Sequence, residues 1–315
     1  MVDFRGIWPA VVTPQDAEGR VDVDAATRLI DVLLEAGISG LYVLGGAGEG
    51  VLLPRRVRHE MADVAMAAVG GRVPVMVHVG ALATDTAVEL AQHANLAGAD
   101  AISAVLPFYY DYPFEAILAH YRAICRESQV PVMVHHAPTT AAAIIRPEQL
   151  LEICALDGVG GVLYVSRDMQ FLSHLMARRD PSAVAILSGT DELLLPSLAL
   201  GVEGATGITA NVLPRLFMDM VESFARGEVE AARQLQFAAN RIIAAMQPYG
   251  LVPAVKATLT SLGIRAGGAR LPMRAVEGEQ ARRLRRDLDA AGLPELVRRK
   301  ALYGREGDAL RGRLG

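Results

Sequence analysis

The chain has 315 residues, 52% of them hydrophobic and 21% charged, which is enough for a sizeable core in one large domain or two ordinary ones. The net charge of −4 gives no reason to expect nucleic acid as a partner, and no apolar run reaches the roughly 18 residues of a membrane helix. Cys125 and Cys154 lie in predicted helices and fit a reducing compartment better than a disulfide scaffold. We therefore expect a cytoplasmic protein with neither a membrane nor a nucleic acid as a partner.

Short apolar runs alternate along the chain with longer amphipathic stretches. The predicted strands are 6–14, 40–46, 74–80, 101–109, 131–137, 159–165, 184–189 and 204–209. The predicted helices between them are 24–36, 55–69, 85–97, 113–127, 147–156, 167–177 and 191–201. Near-continuous apolar strands alternating with helices are typical of a parallel sheet covered on its outer face. Eight such units predict an α/β fold, a (β/α)8 TIM barrel with a C-terminal helical extension.

After residue 212 the strand signal stops. Helical patterns follow at 215–226, 229–246, 252–262 and 277–291. We expect a barrel over 1–212, a C-terminal helical extension over 213–297 and a mobile tail over 298–315, which is rich in Gly and Arg and lacks apolar periodicity.

Candidate functional residues come from the carboxyl ends of the predicted strands, where barrel enzymes place their active sites. In chain order, these ends carry Gly45, Gly46, Ala47, Gly48 and Glu49, then His78, then Pro107, Phe108, Tyr109 and Tyr110, then His135 and His136, then Leu163, then Asp191, then Thr209.

In this order the motifs resemble the dihydrodipicolinate synthase / N-acetylneuraminate lyase family over residues 4–296. The run 107–110 and the run 114–124 are more similar to the lyase branch. The resemblance implies a lyase in which a lysine on strand six forms a Schiff base with a 2-oxo acid. It also implies a tyrosine on strand five that relays protons, a hydroxyl-bearing loop after strand two that holds a carboxylate, and a homotetramer built as a dimer of dimers.

The chain departs from the family at the lysine itself. Only two of its 31 basic residues are lysines, Lys256 and Lys300. The run 158–163 aligns without a gap on the family's lysine motif and places Leu163 at the Schiff-base position, where an imine is chemically impossible. Lys256 matches a structural lysine of the family's C-terminal helices, and Lys300 falls in the tail.

Other departures surround the same predicted cavity. His135 stands at the position of the relay tyrosine and titrates near neutrality, so it is able to act as acid or base. Gly46 and Ala47 replace the hydroxyl pair of the carboxylate loop, and each lost hydrogen bond weakens anion binding by about 1.5–3 kcal/mol. Thr140 replaces an arginine of the synthase branch, which argues against a role in lysine biosynthesis.

From these residues we predict a site for a small carboxylic acid. His135 and Tyr109 are the predicted catalytic residues. The predicted substrate-binding residues are Gly46, Ala47, His78, Leu163, Asp191 and Thr209.

Each of these assignments has a structural alternative. The alternative for His78 and His135 is that they are core histidines whose hydrogen bonds are satisfied within the protein. His136 points to the opposite face of its strand, which favours a structural role. Tyr109 and Tyr110 otherwise pack a subunit interface. Asp191 otherwise caps the next helix, and Glu49 is favoured as a buried partner of loop N–H groups over a catalytic carboxylate.

A metal centre of His78, His135, Asp191 and Glu49 is a weaker alternative, because no HxH or HxxxH spacing supports it. We expect no metal and no cofactor. Three functions stay open: a lyase without a Schiff base, a non-catalytic acid-binding pseudoenzyme, and a conventional Schiff-base lyase in which the placement of strand six is wrong. We favour the first, because histidine at the relay position preserves proton transfer.

Overall fold

The computed structural model describes residues 2–139 and 145–298. Its eight parallel strands form one sheet in the order β1-β8-β7-β6-β5-β4-β3-β2. They are β1 Gly6–Ile7, β2 Leu41–Val43, β3 Val75–His78, β4 Ala101–Val105, β5 Val132–His136, β6 Val159–Tyr164, β7 Ala185–Ser188 and β8 Gly204–Ala205. A parallel bridge between Ala10 and Tyr42 joins the two ends of the sheet. The predicted barrel is therefore confirmed.

Helices cover the outside of the barrel and continue beyond β8. They are α1 Val23–Glu35, α2 Arg55–Val69, α3 Thr84–Ala97, α4 Phe114–Glu127, α5 Pro147–Cys154, α6 Met169–Arg178, α7 Leu194–Ala199, α8 Pro214–Ala225, α9 Val229–Met246, α10 Leu251–Ser261, α11 Gly278–Ala290 and α12 Leu293–Arg298. The predicted helical extension is confirmed, while the domain boundaries stay predictions. Thr140, Lys300 and nearly all of the predicted tail (299–315) lie outside the described residues. Over 2–139 and 145–298, no helix combines the length and apolar character needed to cross a membrane.

The first and last strands are shorter than their apolar runs predict. Proline has no N–H to donate, so the ladder of β1 is interrupted at Pro9. Beyond it, backbone hydrogen bonds continue from the N–H of Ala10 to Gly207 at 3.0 Å and from the N–H of Val11 to Tyr42 at 2.8 Å. The side chain of Asn211 adds two more: its Oδ1 accepts from the N–H of Val12 at 3.2 Å, and its Nδ2 donates to the carbonyl of Ala10 at 2.7 Å. The residues after β8 form a 3-10 turn, Thr209–Asn211, instead of a longer strand.

Side-chain alternation along each strand divides the apolar residues into an inner and an outer layer. The inner layer fills the barrel and comprises Phe4, Trp8, Ala10, Tyr42, Ala47, Met76, Ala101, Met133, Leu163 and Leu187. The larger outer layer packs between the sheet and the helices. His136 lies in the outer layer with its ring stacked on Tyr164 and Phe171, at centroid distances of 5.6 and 5.0 Å. This confirms that His135 and His136 point to opposite faces.

A buried ion pair ties the extension to the loop that follows β2. Lys256 of α10 donates to Oε1 of Glu49 at 2.6 Å and to the carbonyl of Gly268 at 2.8 Å, and both charged side chains are almost fully buried. The second carboxylate oxygen of Glu49 accepts a hydrogen bond from the backbone N–H of Arg270. Burial lowers the pKa of Lys256, and the neighbouring Glu49 carboxylate opposes that shift. The described contacts of Lys256 and Glu49 are thus structural.

We expect Lys256→Met to lower the free energy of unfolding by about 3–5 kcal/mol, because it leaves the Glu49 carboxylate buried without its counterion. Urea denaturation measures this loss. Arg282→Ala is the matched control: it breaks an exposed pair with Glu279 and should leave the free energy of unfolding nearly unchanged. A second variant, Lys256→Met with Glu49→Leu, should regain part of the loss, and equal losses in both Lys256 variants would contradict the role given to the pair.

Candidate functional site

Polar side chains in the barrel interior converge on the hydroxyl group of Tyr42, on β2. Its oxygen lies 2.9 Å from Nδ1 of His135 and 3.1 Å from Nδ1 of His78. Ser103 donates a hydrogen bond to the same oxygen at 3.0 Å, and its own Oγ lies 2.9 Å from Nδ1 of His78. We name these four residues the Tyr42 cluster. Because β2, β3, β4 and β5 are neighbours in the sheet, each contributes one inward side chain to it.

Two glycines make room for the rings of the cluster. A Cβ atom on Gly45 would lie 2.5 Å from the ring of Tyr42, and one on Gly80 would lie 2.7 Å from Nε2 of His78. Both distances are shorter than any van der Waals contact, so a side chain at either position would displace a ring. The glycines at the ends of β2 and β3 are therefore part of the geometry of the site.

Arg58 holds the end of β3 from behind. This residue of α2 is 4% exposed and donates to the carbonyl oxygens of His78, at 2.7 Å, and Gly80, at 3.0 Å. Burial lowers the pKa of its guanidinium to about 10, so it remains positively charged at neutral pH. The two contacts fix the backbone from which the His78 ring projects.

The Tyr42 cluster is uncharged at neutral pH. Burial, reinforced by the adjacent His136, lowers the pKa of His135 to about 4. Burial holds the pKa of His78 well below its ordinary value, with smaller contributions from His135 and Arg58. Burial also raises the pKa of the Tyr42 hydroxyl. His135 as a residue is only partly buried, whereas His78 is buried.

The loop after β2 lies against this cluster at Gly45 and is closed by its own backbone hydrogen bonds. The N–H groups of Glu49 and Gly50 donate to the carbonyls of Gly46 and Gly45, each at 3.2 Å. Gly46 is exposed, whereas Ala47 is buried and packs in the inner layer. The described N–H groups of this loop are thus engaged within it, and anion binding by the loop stays a prediction.

Leu163 lies directly beside His135. The two are register partners in the pairing of β5 with β6, and Leu163 pairs in turn with Leu187 of β7. Leu163 is fully buried in the inner layer. The neighbour of the partly exposed imidazole is therefore an aliphatic side chain.

Comparison with known proteins places this site in a family. The model of the dihydrodipicolinate synthetase family matches residues 3–291. The chain belongs to that family. It is 36% identical over 294 residues to an N-acetylneuraminate lyase of Rhizobium meliloti (strain 1021), covering 93% of this chain and 94% of the relative.

Other relatives of the family match over a similar extent. A 4-hydroxy-tetrahydrodipicolinate synthase of Methanothrix thermoacetophila is 31% identical over 283 residues, covering 90% of this chain and 95% of the relative. The crystal structure of CdNal from Clostridium difficile, in complex with mannosamine, superposes with a TM-score of 0.88 at 27% identity, covering 92% of this chain and all of the other. The resemblance inferred from motifs is thus confirmed at the level of the family.

Asp191 and Thr209, both predicted to bind substrate, are engaged with each other. Oδ2 of Asp191 accepts hydrogen bonds from the backbone N–H of Thr209 at 2.9 Å and from its hydroxyl at 2.5 Å. Burial raises the pKa of Asp191 to about 6. The carboxylate therefore caps the 3-10 turn after β8, not the helix that follows it in sequence, and a substrate-binding role for the pair stays a prediction.

Tyr109, the second predicted catalytic residue of this family member, lies apart from the Tyr42 cluster. It is 79% exposed on the loop after β4, with a positive φ of 81°. Its ring packs edge-to-face on Tyr110 at a centroid distance of 4.9 Å, and Tyr110 is itself exposed. This exposure is compatible with contact with another subunit, and a catalytic role for Tyr109 stays a prediction, since the single chain tests neither role.

Sequence reasoning missed Tyr42, Ser103 and Arg58. A signal for Tyr42 exists in hindsight, since a tyrosine in the middle of an inward-facing strand must find a partner for its hydroxyl. Ser103 occupies an inward position of the apolar strand β4 and contacts Tyr42. The other partners of the Tyr42 hydroxyl are His78 and His135. The four residues of the metal alternative do not come together in this arrangement. Glu49 and Asp191 are engaged elsewhere, and over the described ranges no three His, Cys, Asp or Glu side chains are placed to hold an ion.

The buried histidines predict a loss of stability in mild acid. The pKa values of His120, His135 and His136 are about 4 in the folded chain, against 6.5 for an exposed histidine. As the pH falls from 6.5 to 4, these histidines bind protons in the unfolded chain but not in the folded chain, so the free energy of unfolding decreases. Asp191, whose pKa is raised to about 6, contributes a pH dependence of the opposite sign. One such carboxyl group offsets only part of the effect of three histidines.

We expect His136→Phe to weaken this pH dependence by up to about 1.4 kcal/mol per pH unit, which corresponds to one proton. Phenylalanine keeps the stack on Tyr164 and Phe171. Urea denaturation at pH 7, 6 and 5 measures the slope. Tyr164→Phe keeps every histidine and should retain the slope of the parent chain, and an unchanged slope in His136→Phe would remove His136 from the titrating groups.

Proposed function

We propose that this family member is an aldolase-like lyase acting on a small 2-oxo acid, or a related carbonyl or carboxylic acid, without a lysine Schiff base. The observation that carries the proposal is the pairing of His135 with Leu163, which puts an imidazole next to an aliphatic side chain at the ligand-facing end of the barrel. By resemblance to the family, Leu163 occupies the position of the Schiff-base lysine. A leucine side chain offers no amine for an imine.

Lys256, the one lysine among the described residues, supports the same proposal. Lys256 is committed to Glu49 and Gly268, on the far side of the loop after β2. Its release as a nucleophile would leave the Glu49 carboxylate buried without its counterion, at a cost of several kcal/mol. A conventional Schiff-base lyase therefore finds little support in these contacts.

Without an imine, a carbonyl group is activated by hydrogen-bond donors placed where negative charge develops. We assign this task to His135 and to the backbone N–H groups of the loop that contains Gly46 and Ala47. His135 also exchanges the proton that bond cleavage or condensation requires. The ligand carboxylate binds at the same loop, with His78, Leu163, Asp191 and Thr209 around the pocket.

The remaining parts of the proposal concern assembly and location. Tyr109 and Tyr110 form an exposed aromatic pair of the type found at subunit contacts, and we propose a homotetramer built as a dimer of dimers, with Tyr109 contributing to catalysis. Cys125 and Cys154 are both free thiols, in keeping with a cytoplasmic protein.

The absence of an imine is tested with pyruvate and borohydride, since hydride reduces an imine to a stable secondary amine. We expect mass spectrometry to detect no pyruvyl adduct on the parent chain. Leu163→Lys is the matched control, because a lysine at this buried position would hold a partly deprotonated amine and become trappable. A stable adduct on the parent chain would overturn the proposed mechanism.

Turnover separates an enzyme from a binding protein. We expect a screen of 2-oxo acids and sugar acids to find cleavage or condensation, with the rate reduced about 10²- to 10⁴-fold in His135→Ala because the proton-transfer group is gone. His174→Ala, which removes an exposed histidine of α6, should leave the rate unchanged. If no acid turns over but one raises the melting temperature of the chain, the pseudoenzyme hypothesis replaces ours.

A further inference from the structure

With Ser103 as the donor to Tyr42, the close contacts of the Tyr42 cluster leave one consistent placement of its protons. Three of the four close contacts involve the Tyr42 oxygen, and the fourth joins Nδ1 of His78 to Oγ of Ser103. Ser103 donates its hydroxyl proton to Tyr42. The phenolic proton is therefore directed away from Ser103 and toward one of the two histidines.

Only one of these histidines is a suitable acceptor. If Tyr42 donated to His78, Nδ1 of His78 would be unprotonated and would face Oγ of Ser103 at 2.9 Å with no proton between them. If Tyr42 donates to His135, at the shorter distance of 2.9 Å, Nδ1 of His78 keeps its own proton and donates to Ser103. Every close contact except the longest, 3.1 Å, then has one proton of its own.

The result is a directed chain of hydrogen bonds from His78 through Ser103 and Tyr42 to His135. Each step is an N–H or O–H group donating to the next oxygen or nitrogen. In a neutral imidazole that accepts at Nδ1, the proton lies on Nε2. His135 therefore has its Nε2–H left for the open side of the ring, and His78 is in the opposite tautomer.

We propose that Tyr42 is a positioning residue that fixes His135 as the neutral Nε2–H tautomer, so that the site receives an acceptor oxygen, such as a carbonyl, and not a group that must give up a proton to bind. This inference deepens the proposed function and rests on it for the identity of the reaction. The tautomer itself depends only on the cluster. A carboxylate next to His135 would favour the doubly protonated imidazolium. The cluster consists instead of two imidazoles and two hydroxyl groups, which favours the neutral ring.

The tautomers are measured by long-range ¹H–¹⁵N correlation spectra of the full chain with ¹⁵N-labelled histidine, at pH 7. The chain has seven histidines, and a His135→Gln spectrum identifies the signals of His135. We expect the parent chain to show His135 protonated at Nε2 alone and His78 protonated at Nδ1 alone. A proton on Nδ1 of His135 in the parent chain would overturn the inference.

Variants test whether Tyr42 is the cause. In Tyr42→Phe the donor to Nδ1 is missing, and we expect His135 to become a mixture of tautomers or to move its proton to Nδ1. Tyr121→Phe is the matched control, since it removes another buried hydroxyl, one that donates to the carbonyl of Ala104 at 2.8 Å, and it should leave the signals of His135 unchanged. An unchanged His135 in Tyr42→Phe would contradict the positioning role.

A second variant guards against poor folding of Tyr42→Phe. Ser103→Ala leaves the Tyr42 oxygen, 3.1 Å from Nδ1 of His78, as an acceptor for the His78 proton, so we expect both His78 and His135 to keep their tautomers. Loss of the His135 tautomer with an unaltered His78 would contradict the direction of the chain. Because these spectra need no substrate, they stand or fall independently of the turnover and trapping experiments that test the proposed function.

Discussion

The arrangement of the barrel interior at its carboxyl end depends on how one buried hydroxyl group is satisfied. A hydroxyl removed from water without a partner costs about 1–3 kcal/mol. Tyr42, which is 2% exposed, instead meets Ser103, His78 and His135. The same contacts satisfy Nδ1 of each imidazole. Loss of Tyr42 would leave Nδ1 of His135 without this partner, so the cluster depends on the tyrosine.

Three buried charged side chains of the described residues are engaged by groups outside this unit or by the backbone. Lys256 is neutralised by Glu49 at the extension, Arg58 is solvated by two carbonyl oxygens at the end of β3, and Asp191 accepts two hydrogen bonds from Thr209. The groups that we propose to face a ligand between these pairs are a neutral imidazole and the amide groups of a loop. Such a site stabilises charge that develops on a ligand through dipoles already fixed in place, a mode of stabilisation that costs little reorganisation.

The sequence was sufficient for the barrel and for the placement of His135, because both follow from local patterns. Alternation within one strand separates His135 from His136, and the ungapped run before Leu163 places that residue beside it. Tyr42 and Ser103 were not predicted, because their contacts join residues far apart in sequence. Ser103 and Tyr42 are separated by 61 positions, and Tyr42 and His135 by 93. Only the register between strands decides which inward side chains meet. The role given to Tyr109 depends on surfaces outside a single chain.

Packing in the inner layer links Leu163 and His135, the two residues at which this chain departs from the family motifs. Protein interiors are close-packed, so a side chain beside His135 and the ring that contacts His135 must be accommodated together. Leu163 fills its place with atoms that need no hydrogen-bond partner, which leaves Nδ1 of His135 to Tyr42 alone. A polar or charged side chain at that position would need a partner of its own and would compete for the same hydroxyl. The aliphatic neighbour is thus one reason that the imidazole keeps a single, defined partner.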